Sequence, residues 1–195
     1  MIEYIQGSLT SLEPTRAVVD CGGVGYGLEI TLASYDALQR SVTNGNDHPS
    51  VKLHVHEVIR EDEHLLYGFC DESERMLFRL LISVSGVGAA TARVVLSAMS
   101  VDELRDAIAS QEVRLIQRVK GIGAKTAQRI VLELQDKVGG VASSSHSDGG
   151  SQAREEALTA LTMLGFQRAA AGKVLQGLAP TLPVEEMIKE ALKSL

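Results

Sequence analysis

Apolar and polar residues alternate along the first seventy residues, which is the pattern of half-buried β-strands. The predicted strands cover residues 2–12, 15–21, 25–31, 51–58 and 64–69, with a short helix near residues 33–40. The glycines of CGGVGYG, residues 21–27, are typical of a tight hairpin or a bulge. Three strands, a helix and two strands follow the order of a small five-stranded barrel of the OB type.

From residue 71 the apolar period changes to that of helices. Asp71 can cap a helix over DESERMLFRLLISV, in which four residues have core spacing: Met76, Leu77, Leu80 and Leu81. Further helices are predicted over residues 89–98, 101–109, 112–119 and 124–137. This part of the chain is expected to be all-helical.

Residues 139–151, GGVASSSHSDGGS, are dominated by glycine and small polar residues, which predicts a flexible linker. Three short amphipathic helices are expected after it, over residues 152–164, 167–178 and 184–193. The predicted fold class is multidomain α+β. It comprises an OB-fold barrel (1–70), a central all-α domain (71–138), the linker (139–151) and a small three-helix domain (152–195).

One phrase occurs twice in the helical part. SGVGAATARVV begins at residue 85 and KGIGAKTAQRIV at residue 120, and both contain Gly-x-Gly-Ala-x-Thr-Ala. A Gly-hydrophobic-Gly turn lets the backbone approach a ligand closely, and the next helix presents free N–H groups and the positive end of its dipole. The repeat predicts two helix-hairpin-helix motifs that bind phosphates of duplex DNA without reading its bases.

The predicted phosphate-binding residues fall into two sets. The first set is Ser85, Gly86, Gly88, Thr91 and Arg93, and the second is Gly121, Gly123, Lys125, Thr126 and Arg129. Ala90 stands where the second copy has Lys125, so the first copy should depend more on backbone amides. A nucleotide-binding loop is disfavoured, because neither copy has the Walker pattern or follows a predicted strand.

The net charge of −6 does not exclude DNA, because the acidity is concentrated in the first third of the chain. Residues 1–70 carry 4 basic and 10 acidic side chains, whereas residues 71–138 carry 10 and 9. Two cysteines without metal-type spacing, and the lack of an export signal or a long apolar run, favour a cytoplasmic protein. No nucleophile and base pattern indicates catalysis, and no cofactor is expected. The alternating His54 and His56, with His64, are a weak metal pattern.

The paired GVGAATA and GIGAKTAQRI, with GGVGY and REDEHLLYGF in the predicted barrel, resemble the RuvA family of Holliday-junction-binding subunits of bacterial branch-migration complexes. The resemblance covers essentially the whole chain. It implies a homotetramer of L-shaped subunits that holds a four-way junction open and recruits a hexameric motor ATPase. It further implies cooperation with a junction-resolving endonuclease in DNA recombination and repair.

The resemblance also implies roles for residues outside the hairpins. Glu61 and Asp62 match the paired acids of the family's acidic pin, although the same turn alone would suggest only a solvated hairpin tip. The third domain would dock on the motor, with Leu161, Leu164, Ile188 and Leu192 as contacts. Two other functions stay open: a duplex-DNA repair scaffold without junction preference, and a protein-interaction adaptor whose hairpins serve only helix packing.

Overall fold

A computed structural model describes residues 1–43, 48–138, 149–179 and 182–194. The chain forms two compact units, Met1–Ala142 and Ser143–Leu195. Residues 139–148 of the predicted linker and residues 44–47 of the loop before the fourth strand lie outside the described residues.

The N-terminal part is a closed five-stranded barrel, as the alternation predicts. Its elements are β1 (Tyr4–Glu13), β2 (Arg16–Cys21), β3 (Val24–Ile30), α1 (Leu32–Thr43), β4 (Ser50–Ile59) and β5 (His64–Phe69). The strand order is β1-β2-β3-β5-β4, with β3 and β5 parallel and all other neighbours antiparallel. Inward-pointing residues such as Val19, Leu28 and Leu53 are fully buried, while their strand neighbours face outward.

The central part is helical, also as predicted. It contains α2 (Glu72–Ser83), α3 (Ala89–Ala98), α4 (Val101–Ala109), α5 (Val113–Gln117) and α6 (Ala124–Val138). Asp71 caps α2 by accepting a 2.6 Å hydrogen bond from the Ser73 N–H, and Ser100 with Glu103 forms a capping box on α4. These caps satisfy N–H groups that the first turn of a helix leaves free.

The predicted core of α2 is wrong at one position. Leu77 and Leu81 are buried, but Met76 is 39% exposed and Leu80 is only partly covered. Phe78 occupies the centre of the buried face, because its ring lies against Tyr67 and Phe69 of β5 at centroid distances of 5.1 and 4.9 Å. Helix α2 is therefore oriented by its contact with the barrel, which periodicity alone does not reveal.

Buried polar contacts also join the barrel to α2. The carboxylate of Glu74 accepts hydrogen bonds from the hydroxyls of Thr31 and Ser34 at 2.5 and 2.9 Å. Arg75 donates to the backbone oxygens of Glu3 and Val55 at 2.8 and 3.2 Å. The barrel and the helical segment consequently form one compact unit, with β5 contributing to the core of the helices.

The second unit consists of α7 (Gly149–Met163), α8 (Arg168–Gln176) and α9 (Val184–Ser194). Helix α7 begins at Gly149, so residues 149–151 are helical although their composition suggests linker. Its buried core consists of alanine, leucine and methionine side chains: Ala157, Leu161, Ala171, Leu175, Met187 and Ala191. Across the described part of the chain, no helix has the length and apolar content to cross a membrane.

Candidate nucleic-acid interface

The two glycine phrases form turns of the same geometry. The Val87 N–H donates to the Val84 oxygen at 3.0 Å, and 35 residues later the Ile122 N–H donates to the Val119 oxygen at 3.1 Å. Gly86 and Gly121 occupy the same position in the two turns, with φ of 90° and 93°. An L-residue is strained at these angles, so each turn requires glycine.

The packing around the turns repeats at the same interval of 35 residues. Buried side chains recur in equivalent positions: Leu81 and Ile116, Val84 and Val119, Val87 and Ile122, Ala92 and Ala127, Val95 and Ile130. The two hairpins thus bury the same set of equivalent positions. The sequence repeat reflects two copies of one structural unit.

The second glycine of each hairpin has no packing reason to be glycine. A Cβ atom built on Gly88 or Gly123 would meet no atom within 4 Å, and the φ of Gly88, −87°, is open to any residue. Gly88 is the N-cap of α3 and provides no side-chain capping bond to the first turn. The helix N-terminus is therefore left clear for an outside acceptor, which suits a phosphate oxygen.

Positive charge differs between the two hairpins. Lys125, in the first turn of α6, is exposed and has no ion pair within the described residues, whereas the equivalent Ala90 is uncharged. Arg129 is half exposed and its Nε lies 3.4 Å from Glu133 Oε1. Thr91 and Thr126 are half-buried in equivalent first turns. The second hairpin is the more cationic of the two.

Two further cations near the second hairpin escaped the sequence analysis. Arg118 and Lys120 precede Gly121, and both are exposed without an ion pair in the described part of the chain. The equivalent positions of the first copy are Ser83 and Ser85. A comparison of the two copies extended toward the N-terminus would have revealed this difference.

Arg93 does not point toward the expected phosphate site. Its guanidinium forms an ion pair with Glu29 of β3, and its Nη1 donates to the Thr15 oxygen at 3.2 Å. In the register of the repeat, Arg93 is equivalent to Gln128, and Arg129 is equivalent to Val94. Arg93 is expected to contact phosphate, but its guanidinium binds groups of the barrel instead.

The turn between β4 and β5 presents two carboxylates at its tip. The Arg60 N–H donates to the Glu63 oxygen at 2.8 Å, and the two side chains lie 3.7 Å apart as an ion pair. Glu61 and Asp62 are the two residues between them, and both are exposed with no ion pair in the described ranges. A closed two-residue turn thus holds both acids at the end of the hairpin.

The three barrel histidines have separate partners. His54 Nδ1 lies 2.9 Å from Glu72, and His64 Nε2 lies 2.9 Å from Glu57. The ring of His56 packs on Phe78, and burial lowers the pKa of His56. Where the structure describes the chain, no group of three or more metal-ligating side chains is found. Burial raises the pKa of the Cys70 thiol to about 11, which disfavours a reactive thiolate.

The residues of the second unit that are expected to contact the motor differ in how deeply they are buried. Leu161 is fully buried in the core, so its expected role as a contact is wrong. Ile188 is half-buried against the same core. Leu164 and Leu192 are 62% and 44% exposed, and Met163, which the sequence analysis missed, is 85% exposed.

Comparisons with known proteins agree with this arrangement. The family model for the RuvA N terminal domain matches residues 1–68, the model for a SAM-like helix-hairpin-helix tandem matches residues 78–136, and the model for the RuvA C-terminal domain matches residues 152–195. A protein of Bacteroides thetaiotaomicron is 46% identical over 208 aligned residues that cover 100% of both chains. Relatives from Bacteroides fragilis and Flavobacterium psychrophilum are 45% and 44% identical, with the same coverage.

All three relatives bear the name Holliday junction branch migration complex subunit RuvA. Their similarity extends from the barrel through the tandem hairpins to the last helices, and so includes every element of the interface described above. The chain belongs to the RuvA family.

Proposed function

We propose that this protein binds four-way DNA junctions as the non-catalytic DNA-binding subunit of a branch-migration complex. The observation that carries the proposal is the pair of equivalent hairpins, each with an open glycine at the start of a helix, in one compact unit with the acidic turn of the barrel. Relatives that match the full length of the chain carry the name Holliday junction branch migration complex subunit RuvA.

The hairpins would grip a duplex arm through its phosphates. In the first hairpin the donors are the backbone around Gly86 and Gly88, with Ser85 and Thr91 beside it. In the second, Gly121, Gly123 and Thr126 are joined by the cations Lys125 and Arg129, and we add Arg118 and Lys120. Such contacts neutralise charge without reading sequence, so binding should weaken as salt rises.

The acidic turn would act at the crossover of the junction. We expect a homotetramer, which would place four copies of Glu61 and Asp62 around one axis. Carboxylates there repel phosphates, so they oppose continuous duplex and favour the point where four strands separate. The turn would therefore lower affinity in exchange for selectivity and strand mobility.

The second unit would recruit the motor. Leu164 and Leu192 expose apolar side chains, and so does Met163. A hexameric ATPase partner would hydrolyse ATP, while this chain positions the DNA. We also expect a junction-resolving endonuclease to use the same complex, in the cytoplasm.

A competition gel shift across a salt series tests the proposal. A four-way junction competes with linear duplex of the same arm sequence for the full-length protein. We expect junction preference to persist as salt rises, because nonspecific phosphate binding falls steeply with salt. Equal affinity for both would favour a general duplex-DNA scaffold instead.

A double variant tests the adaptor alternative in the same assay. Lys125→Ala with Arg129→Ala should weaken binding to both DNAs about tenfold or more, since about two phosphate contacts are lost. Lys52→Ala, which removes a charge from the barrel where Lys52 lies over the Tyr4 ring, is the matched control and should bind as the wild type does. DNA binding that survives the double variant unchanged would favour an adaptor.

A further inference from the structure

Helices α3 and α6 follow the two glycine turns, and equivalent faces of these helices have different surroundings. In α3 this face carries Arg93 and Ser97, which lie one turn apart. In the register of the repeat, the equivalent residues of α6 are Gln128 and Leu132, and both are exposed, Leu132 by 70%. The face that is open in the second hairpin is therefore occupied in the first.

The occupied face joins α3 to the barrel through two contacts. Arg93 forms an ion pair with Glu29 and donates to the Thr15 oxygen, which also accepts the Ile30 N–H at 3.0 Å. One turn later, the Ser97 hydroxyl accepts the Leu32 N–H at 3.1 Å, at the first residue of α1. The Thr15 oxygen and the Leu32 N–H are both backbone groups, whereas Glu29 contributes its side chain.

We propose that Arg93 is a positioning residue, which sets the angle between the first hairpin and the barrel through Glu29 and thereby favours four-way junctions over linear duplex. The inference rests on the function proposed above. A junction must meet the hairpins and the acidic turn at once, whereas a linear duplex can be bound by the hairpins alone. An angle fixed between α3 and the barrel therefore contributes to junction affinity and not to duplex affinity.

The contact also explains why an arginine so close to a phosphate-binding turn is not a phosphate ligand. Its side chain is 24% exposed, and Glu29, which is 31% exposed, already compensates its charge. Ala90, which is equivalent to Lys125 of the second hairpin, is exposed and has no charge. The first hairpin has its cation on the barrel side and its backbone amides on the DNA side.

Removal of either partner of the ion pair provides a sharp test, because the two changes alter the net charge in opposite directions. Arg93→Gln removes a positive charge and Glu29→Gln a negative one. If Arg93 bound phosphate, Glu29→Gln would free it and strengthen binding to both DNAs. If Arg93 positions the hairpin, both variants should lower the ratio of junction to duplex affinity.

The experiment measures dissociation constants of the full-length protein for a four-way junction and for linear duplex at one ionic strength. We expect each single variant to lower the junction-to-duplex ratio about three- to fivefold, the range of a partly exposed ion pair, while duplex affinity changes by less than about twofold. The double variant should lose no more than one single variant, since both remove one contact. Arg40→Gln, an exposed charge change on α1, is the control and should leave the ratio unchanged.

Three results would overturn the inference: a Glu29→Gln protein with an unchanged or higher ratio, single losses that add in the double variant, or an Arg93→Gln protein that loses duplex and junction affinity equally. Retained duplex binding in each variant also shows that the hairpins are folded. A wild-type protein without junction preference would instead refute the proposed function itself, before any variant is compared.

Discussion

Glu74 is a carboxylate buried where the barrel meets α2. It is 4% exposed, its two partners are hydroxyl groups, and no cation pairs with it among the described residues. Burial is the main cause that raises the pKa of Glu74, and the hydrogen bonds from Thr31 and Ser34 oppose this effect. The charged form is therefore less favourable in the folded protein than in the unfolded chain.

We predict that the Glu74→Gln variant is more stable than the wild type at pH 8, and that this difference becomes smaller as the pH falls. Because the folded-state pKa lies above the ordinary value of 4.5, the wild type gains stability as the pH falls from that raised pKa toward 4.5. Glutamine keeps the shape without titrating, so the free-energy advantage of the variant should shrink by up to about 1.4 kcal/mol for each pH unit in this window. Urea unfolding from pH 8 to pH 4.5 measures the difference.

Glu103 provides a control, because its pKa is shifted in the opposite direction from that of Glu74. The Ser100 N–H donates to its carboxylate in the capping box, which lowers the pKa of Glu103. A lowered pKa stabilises the folded state above the unfolded value, and this contribution is lost as the pH falls through the lower folded value. Glu103→Gln should therefore approach wild-type stability only as the pH falls below about 4.5, and its urea unfolding is followed down to pH 3. Parallel trends for the two variants would contradict the burial explanation for Glu74.

Side-chain partners are where the sequence was least informative. The repeat indicates which residue types belong to the expected phosphate site, but the direction of Arg93 depends on Glu29, which lies 64 positions earlier, in β3. Leu161 and Leu164 belong to the same apolar stripe, yet one is buried and the other exposed. Periodicity identifies an apolar face and does not say what covers it.

At the scale of elements, prediction from sequence worked well because local signals agree. Helices α3 and α4 have the predicted bounds, since glycine precedes the first and a Ser-x-x-Glu box begins the second. The barrel strands end within two residues of their predicted limits. The start of α7 was misplaced, because composition favoured a linker at residues where the structure has helix.

The two glycines of one hairpin should respond differently to substitution by alanine. Gly86 has φ of 90°, so Gly86→Ala should destabilise the protein by about 1 kcal/mol. Gly88→Ala meets no atom within 4 Å and has an ordinary φ, so stability should stay within about 0.5 kcal/mol. The added methyl group would stand where a phosphate approaches, and DNA affinity should fall severalfold.

Thermal unfolding and duplex titration of the same two proteins check this prediction. Gly22→Ala, at a positive φ of 67° in the barrel turn, provides a control that is strained but remote in sequence from either hairpin. It should lose stability as Gly86→Ala does and keep its DNA affinity. If Gly88→Ala bound DNA as the wild type does, the open glycine would not be a phosphate site.

At the scale of the whole molecule, charge is distributed unevenly within one compact unit. The barrel segment, residues 1–70, has 10 acidic and 4 basic side chains, while the hairpin segment has a small positive excess. Because the barrel and hairpins pack together, the attraction of DNA to the hairpins and its repulsion from the barrel act on the same ligand. Glu61 and Asp62 place two of these ten acidic side chains at one exposed turn.

We predict that Glu61→Gln with Asp62→Asn strengthens binding to linear duplex more than binding to a four-way junction. Both side chains are exposed at a closed turn, so neutral isosteres should leave the fold intact. Loss of repulsion should raise duplex affinity about threefold or more at low salt, and added salt should reduce the gain because it screens exposed charges. Competition between the two DNAs at two ionic strengths measures both effects.

Glu13→Gln is the control, because it removes an exposed acid at the end of β1, elsewhere on the barrel. It distinguishes the effect of where the acids lie from the effect of the net charge. If selectivity comes from the location of the paired carboxylates, this control should change affinity for both DNAs slightly and equally. If it relaxed selectivity as much as the double variant, general acidity would be responsible. A double variant with unchanged affinity and preference would mean that the turn is only a solvated hairpin tip, and junction preference would then have to come from the arrangement of the hairpins alone.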